Sequence, residues 1–119
     1  MQQKYQIGTT SGRIVWDVAA LLEDVKQFEL IEVSVDDLAA QNRFCGNKEY
    51  AMTADLSQPL VLVQLCAGKD KLIDGNHRLF KAKRLGVKTL SAYYLTPEQH
   101  QKYIIGFEPS LYDKIVAEF

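Results

Sequence analysis

The residues best equipped for chemistry stand together in Asp74-Gly75-Asn76-His77-Arg78, between the apolar pair Leu72-Ile73 and the run LFKAKRLG. At the junction of a strand and a helix, this turn has the makings of an anion seat. A helix begins with backbone N–H groups that lack intrahelical partners, and its dipole places partial positive charge there. Gly75 permits a tight turn and removes the Cβ that would hold a ligand off the backbone. Asn76 can cap the helix or donate through its amide. His77 can donate to an oxyanion, and Arg78 can fork two N–H groups onto a phosphate. Each residue taken singly also fits a plain helix start. Arg78, Lys81 and Arg84, spaced i, i+3, i+6, can equally be the wet face of an amphipathic helix whose Leu79, Ala82 and Leu85 face inward. On physics alone the two readings are level.

Charge tips the balance locally. From Gly75 to Pro97 there are five Lys or Arg residues and no acid, whereas Val15 to Asp37 holds seven acids against one Lys. The whole chain has a net charge of −1, which gives no global case for nucleic acid or membrane binding. A basic segment in a mildly acidic protein suits a small anion better than a long polyanion.

The elements that must position this turn follow from periodicity. The 119 residues, 47% hydrophobic and 24% charged, fit one domain of ordinary globular composition. Residues 1–13 read as a loose N-terminal arm ahead of a single domain over 14–119. The stretch IVWDVAALLEDVKQF, apolar at 15, 18, 19, 22 and 25, predicts a helix. LIEVSVDD alternates as a half-buried strand, and DDLAAQNRF predicts a short helix capped by Asp36 or Asp37. NKEYAMTADLS predicts another helix, ending before Pro59. LVLVQL reads as a strand covered on both faces, CAGKDK as a turn and LID as a brief returning strand. A helix over 76–85 then stops at Gly86, and TLSAYYL is a further strand. Thr96-Pro97-Glu98-Gln99 combines a capping Thr, Pro at the first helical position and Gln three after the cap. That helix is expected to reach about Ile105, and PSLYDKIVAEF predicts the last one. The fold class expected is α+β with a small mixed sheet packed by helices.

MQQKYQIGTTSG has no apolar core of signal-peptide length, and no run approaches a membrane span. Cys45 and Cys66 show no CxxC spacing and no nearby His cluster, so they read as reduced thiols without a catalytic role. The expected location is cytoplasmic.

The segment LIDGNHRLFKAKRLGVKTLSAYYL resembles the signature of the ParB/sulfiredoxin fold. ParB proteins have Gly-Glu-Arg-Arg at the equivalent turn, sulfiredoxin has Gly-Cys-His-Arg, and free serine kinases on this scaffold have Asp-Gly-His-Thr-Arg. Here the turn is Gly75-Asn76-His77-Arg78, with Ala82 matching the Ala that follows the turn in ParB and Gly86 the helix end. Upstream, DLSQPLVLVQL resembles the family's Gln-Pro and apolar-strand element, and FELIEVSVDDL its opening strand, so the resemblance covers about Phe28 to Leu95.

The resemblance implies a nucleotide site: CTP, ATP or ADP with magnesium, the phosphates held by Gly75, Asn76, His77 and Arg78, with Lys81, Gln58 and Pro59 beside them. For phosphoryl transfer or hydrolysis Asp74 would serve as magnesium ligand or base, and Glu32 or Asp36, near the end of the first strand, would supply a second carboxylate. Asn76 stands where sulfiredoxin has its reactive Cys, which argues against thiol repair. The alternative is a non-catalytic module binding a nucleotide or a protein partner. A DNA-associated nuclease or accessory is a third reading, opposed by the net charge and the lack of a long basic surface. The chain has no room for the helix-turn-helix domain of full ParB proteins, which argues against sequence-specific DNA binding.

Overall fold

A computed structural model describes residues 3–119. In chain order its elements are β1 (Lys4–Thr9), β2 (Gly12–Asp17), α1 (Val18–Glu23), a 3-10 turn (Val25–Gln27), β3 (Glu29–Ser34), α2 (Val35–Gln41) and α3 (Lys48–Ala51). There follow β4 (Leu60–Cys66), β5 (Lys69–Asp74), α4 (Asn76–Leu85), β6 (Thr89–Leu95), α5 (Pro97–Gln101) and α6 (Pro109–Ala117). The described residues form an antiparallel hairpin, β1–β2, and a four-stranded sheet in the order β3-β6-β4-β5. The sheet is mixed: β4 runs parallel to β6 and antiparallel to β5, while β3 is antiparallel to β6. The expected α+β class with a small mixed sheet is observed.

The unbroken apolar run of β4 explains why the sheet is covered twice. Side chains alternate across a strand, so a strand buried on both faces needs apolar residues at every position. Val61, Val63 and Leu65 face a cluster with Trp16, Leu21 and Ile115, built from the hairpin, α1 and α6. Leu60 and Leu62 face the other way, onto Val35, Leu38, Leu79 and Ala82 of α2 and α4. Each fully buried aliphatic side chain of this kind contributes about 1.5–3 kcal/mol of transfer free energy. α4 therefore lies on the sheet by Leu79 and Ala82, which fixes where its N-terminus opens.

Several boundaries differ from the sequence reading. Lys4–Thr9, assigned to a loose arm, pairs with Gly12–Asp17 from Lys4↔Asp17 to Thr9↔Gly12. Ile7, Ile14 and Trp16 are buried, so the period-2 alternation of a strand wins over the helical stripe, and the helix begins only at Val18. Asp17 is its cap, accepting from the Ala20 N–H. Val35 opens α2 instead of ending β3. The cap of α2 is Ser34, whose Oγ accepts from the Asp37 N–H at 3.2 Å, and Asp36 and Asp37 occupy the first turn. The turn after β4 is only Ala67-Gly68, and β5 returns from Lys69. α5 stops at Gln101, and Leu85, expected to face inward, is 57% exposed. Among the described residues no helix is long and apolar enough to cross a membrane.

Candidate functional site

α4 begins on Gly75, whose φ of 109° and ψ of 19° lie in the left-handed region that favours glycine. A Cβ here would stand 2.4 Å from Leu60 Cδ2, so the position also needs glycine for packing against β4. No side chain caps the helix, and Asn76 is its first residue and not its cap. The Leu79 N–H is the first that bonds back, to the Gly75 carbonyl. The N–H groups of the first turn are thus left for solvent or a ligand.

Arg78 is not a free fork. Its Nη1 donates to the carbonyls of Gln58 (3.1 Å) and Pro59 (2.6 Å), and its Nη2 to Asp74 Oδ2 (2.9 Å). Asp74 is engaged on its other oxygen too, where Gln3 Nε2 donates at 2.7 Å. Lys81 donates to the Ala54 carbonyl at 2.7 Å. The structure therefore brings Asp74, Gly75, Arg78, Gln58 and Pro59 together as a polar lock between the start of β4 and the start of α4, with Lys81 one turn along. Glu32 lies elsewhere: on β3 it accepts from Ser91 Oγ at 2.9 Å and lines no cavity of this region.

Two clefts meet at His77. The wider, about 530 Å³, lies on the side of the lock and includes Lys26, Tyr50, Tyr93 and the two carboxylates Asp55 and Asp74. The Asp55 carboxyl is held below its usual range by the hydroxyl and then the N–H of Ser57, so it stays charged. The second cleft, about 330 Å³, is lined by Arg43, Lys71, Asn76 and His77 together with Tyr5 and Phe44, and no carboxylate lines it. Lys71 Nζ lies 5.9 Å from the Tyr5 ring centroid, a cation–π contact that holds the ammonium at the wall.

Aromatic packing sets the loop that carries Arg43. The Phe44 ring stacks on Phe80 of α4, centroids 4.6 Å apart, and meets His77 edge-on at 5.5 Å. Tyr50 meets the same imidazole edge-on at 5.2 Å, so His77 is clamped between two rings. Gly46 makes this approach possible, because a Cβ there would fall 2.8 Å from Phe44 Cζ and 3.2 Å from His77 Nε2. Asn47 caps α3 by accepting from the Tyr50 N–H at 2.9 Å, which anchors the second ring.

Arg43, Lys71, Lys26 and Asp55 were not singled out by sequence. Arg43 sits in a loop remote in sequence from the turn, and Lys71, on the strand three residues before Asp74, carries no motif of its own. Cys45 is exposed at the rim of the basic cleft and Cys66 half-buried in β4; both are free thiols. Among the described residues no three His, Cys, Asp or Glu side chains gather as a metal site. No family model, curated protein or solved structure matches the chain.

Proposed function

We propose that this protein is a nucleoside-phosphate-binding module of the ParB/sulfiredoxin type, with the phosphates in the cleft formed by Arg43, Lys71, Asn76 and His77. The observation that carries the reading is the uncapped start of α4 beside a cleft with two cations and no carboxylate. Open N–H groups, a positive helix end and unopposed cations together favour a bound anion. Support for the architecture comes from the order strand, helices, hairpin, helix and strand over Glu29–Leu95, the stretch that carries the sequence resemblance, with the signature turn at the β5–α4 junction.

Asp74 favours binding over catalysis. Both of its oxygens hold protein donors, so it orients Arg78 and is not poised as a base. The donor set does not fit a protein-held magnesium ion either, since the neighbouring carboxylate Asp55 is committed to its own turn through Ser57. The reading therefore includes no hydrolytic step. In a thermal-shift series, CTP, ATP, ADP, GTP and inorganic triphosphate should each raise the melting temperature in proportion to the logarithm of their concentration, because a ligand of the native state stabilises it. An unchanged melting temperature at millimolar concentrations of all five would overturn the reading.

A further inference from the structure

We infer that a nucleoside phosphate held in the basic cleft places its heteroaromatic base in the adjoining cavity between α2 and α4, and not in the wider cleft beyond His77. The inference rests on the phosphate reading above and adds where the rest of the ligand goes.

Continuity is the first argument. The cavity between α2 and α4, about 310 Å³, shares Asn42, Phe44 and Asn76 with the basic cleft. The wider cleft shares only His77 with it. A ligand anchored on Arg43 and Lys71 therefore reaches the α2–α4 cavity along three common walls.

Chemistry is the second. Ala39, Leu79 and the stacked pair Phe44–Phe80 make an apolar, flat-sided slot, and ring systems are held by such walls. The Arg84 guanidinium, 5.8 Å from the Phe80 centroid, stiffens that side. Two amides stand where the slot meets the basic cleft. Asn42 uses its Nδ2 on the Leu38 carbonyl at 2.7 Å, and among the described residues nothing donates to its Oδ1. The Asn76 side chain has no partner among the described residues. An acceptor and an uncommitted amide at the rim suit the polar edge of a base. Among the described residues the slot has one carboxylate, Asp36, which is paired with Lys83 at 2.8 Å. The wider cleft instead sets Asp55 and Asp74 against Lys26 and Arg78, with Asp74 bonded to Arg78, so it offers a phosphate chain no excess of positive charge.

The test separates base from phosphate. Titration calorimetry of ATP, CTP and inorganic triphosphate gives, for each protein, the advantage of nucleotide over triphosphate. Ala40→Trp, an exposed helix position at the mouth of the α2–α4 cavity, should shrink that advantage about tenfold, the scale of one stacked base. Phe80→Ala should do the same by removing a wall. Thr53→Trp, which narrows the wider cleft, should leave the advantage as in the wild type. If Thr53→Trp erases the advantage, or neither Ala40→Trp nor Phe80→Ala changes it, or the wild type binds triphosphate as well as nucleotide, the inference is overturned while the phosphate reading stands. Failure of the wild type to bind triphosphate at all overturns both.

Discussion

Arg78 shows how a residue suited to a ligand can be claimed by the fold. A guanidinium next to a helix start is well shaped for phosphate, yet its two terminal nitrogens serve Asp74 and two carbonyls of the β4 entry. The Asp74 and Arg78 side chains are 12% and 17% exposed, so loss of one leaves the other poorly solvated. Arg78→Ala should therefore lower stability by about 1.5–3 kcal/mol, the scale of a charge-assisted hydrogen bond lost at a sheltered site. Arg78→Lys should recover only part, because an ammonium cannot reach a carboxylate and two carbonyls in one plane. Urea unfolding of the three proteins checks this. A change within a few tenths of a kcal/mol for Arg78→Ala would mean that the lock is slack.

At the level of elements, α5 is fastened by a buried imidazole. His100 is fully buried, accepts from Trp16 Nε1 at its Nδ1 (3.1 Å) and meets the Gln64 carbonyl through Nε2 (2.8 Å). It ties α5 to β2 and β4 at once. Those two contacts specify the neutral tautomer with its proton on Nε2, and burial pulls the pKa from 6.5 down to about 4 against a smaller opposing effect of the Gln64 carbonyl. The unfolded chain takes up a proton as pH falls through about 6.5, whereas the folded chain does so only near 4. Stability is therefore complete above pH 6.5 and declines as pH falls from there toward 4, by roughly 3 kcal/mol in all. Denaturant midpoints between pH 7 and pH 4 should show this loss in the wild type and a smaller one in His100→Gln. Equal losses would contradict it.

The start of α5 was legible, because its capping box is local: Thr96 and Gln99 bond each other's backbone as four successive residues allow, whereas its end falls four residues short of the expected Ile105. β4, α4 and β6 were legible for a similar reason, each carrying its pattern and its stop signal within itself. The hairpin was not. Val15, Val18, Leu22 and Val25 mimic a helical stripe across the point where strand gives way to helix, and only pairing with Lys4–Thr9 decides the matter. The site divides in the same way. The turn Gly75–Arg78 could be read from sequence, with Lys71 on the strand just before it, but Arg43 comes from a loop whose approach depends on Phe44 packing on α4.

Across the whole molecule, charge is sorted by location more than by amount. The net charge of −1 conceals a cleft with Arg43, Lys71 and no acid on one side of His77, and on the other a cleft where Asp55 and Asp74 are balanced by Lys26 and Arg78. Such sorting lets a small anion select one side of a mildly acidic protein, an effect that weakens as salt screens it. The most direct test is titration of inorganic triphosphate, at fixed ionic strength, into the wild type, Arg43→Ala and Lys26→Ala. Loss of one charge-assisted contact corresponds to roughly 10- to 150-fold in affinity. Arg43→Ala should show that loss, and Lys26→Ala, in the wider cleft, should bind as the wild type does. Equal binding by the wild type and Arg43→Ala, or a larger loss in Lys26→Ala, would contradict the assignment of the anion to this cleft.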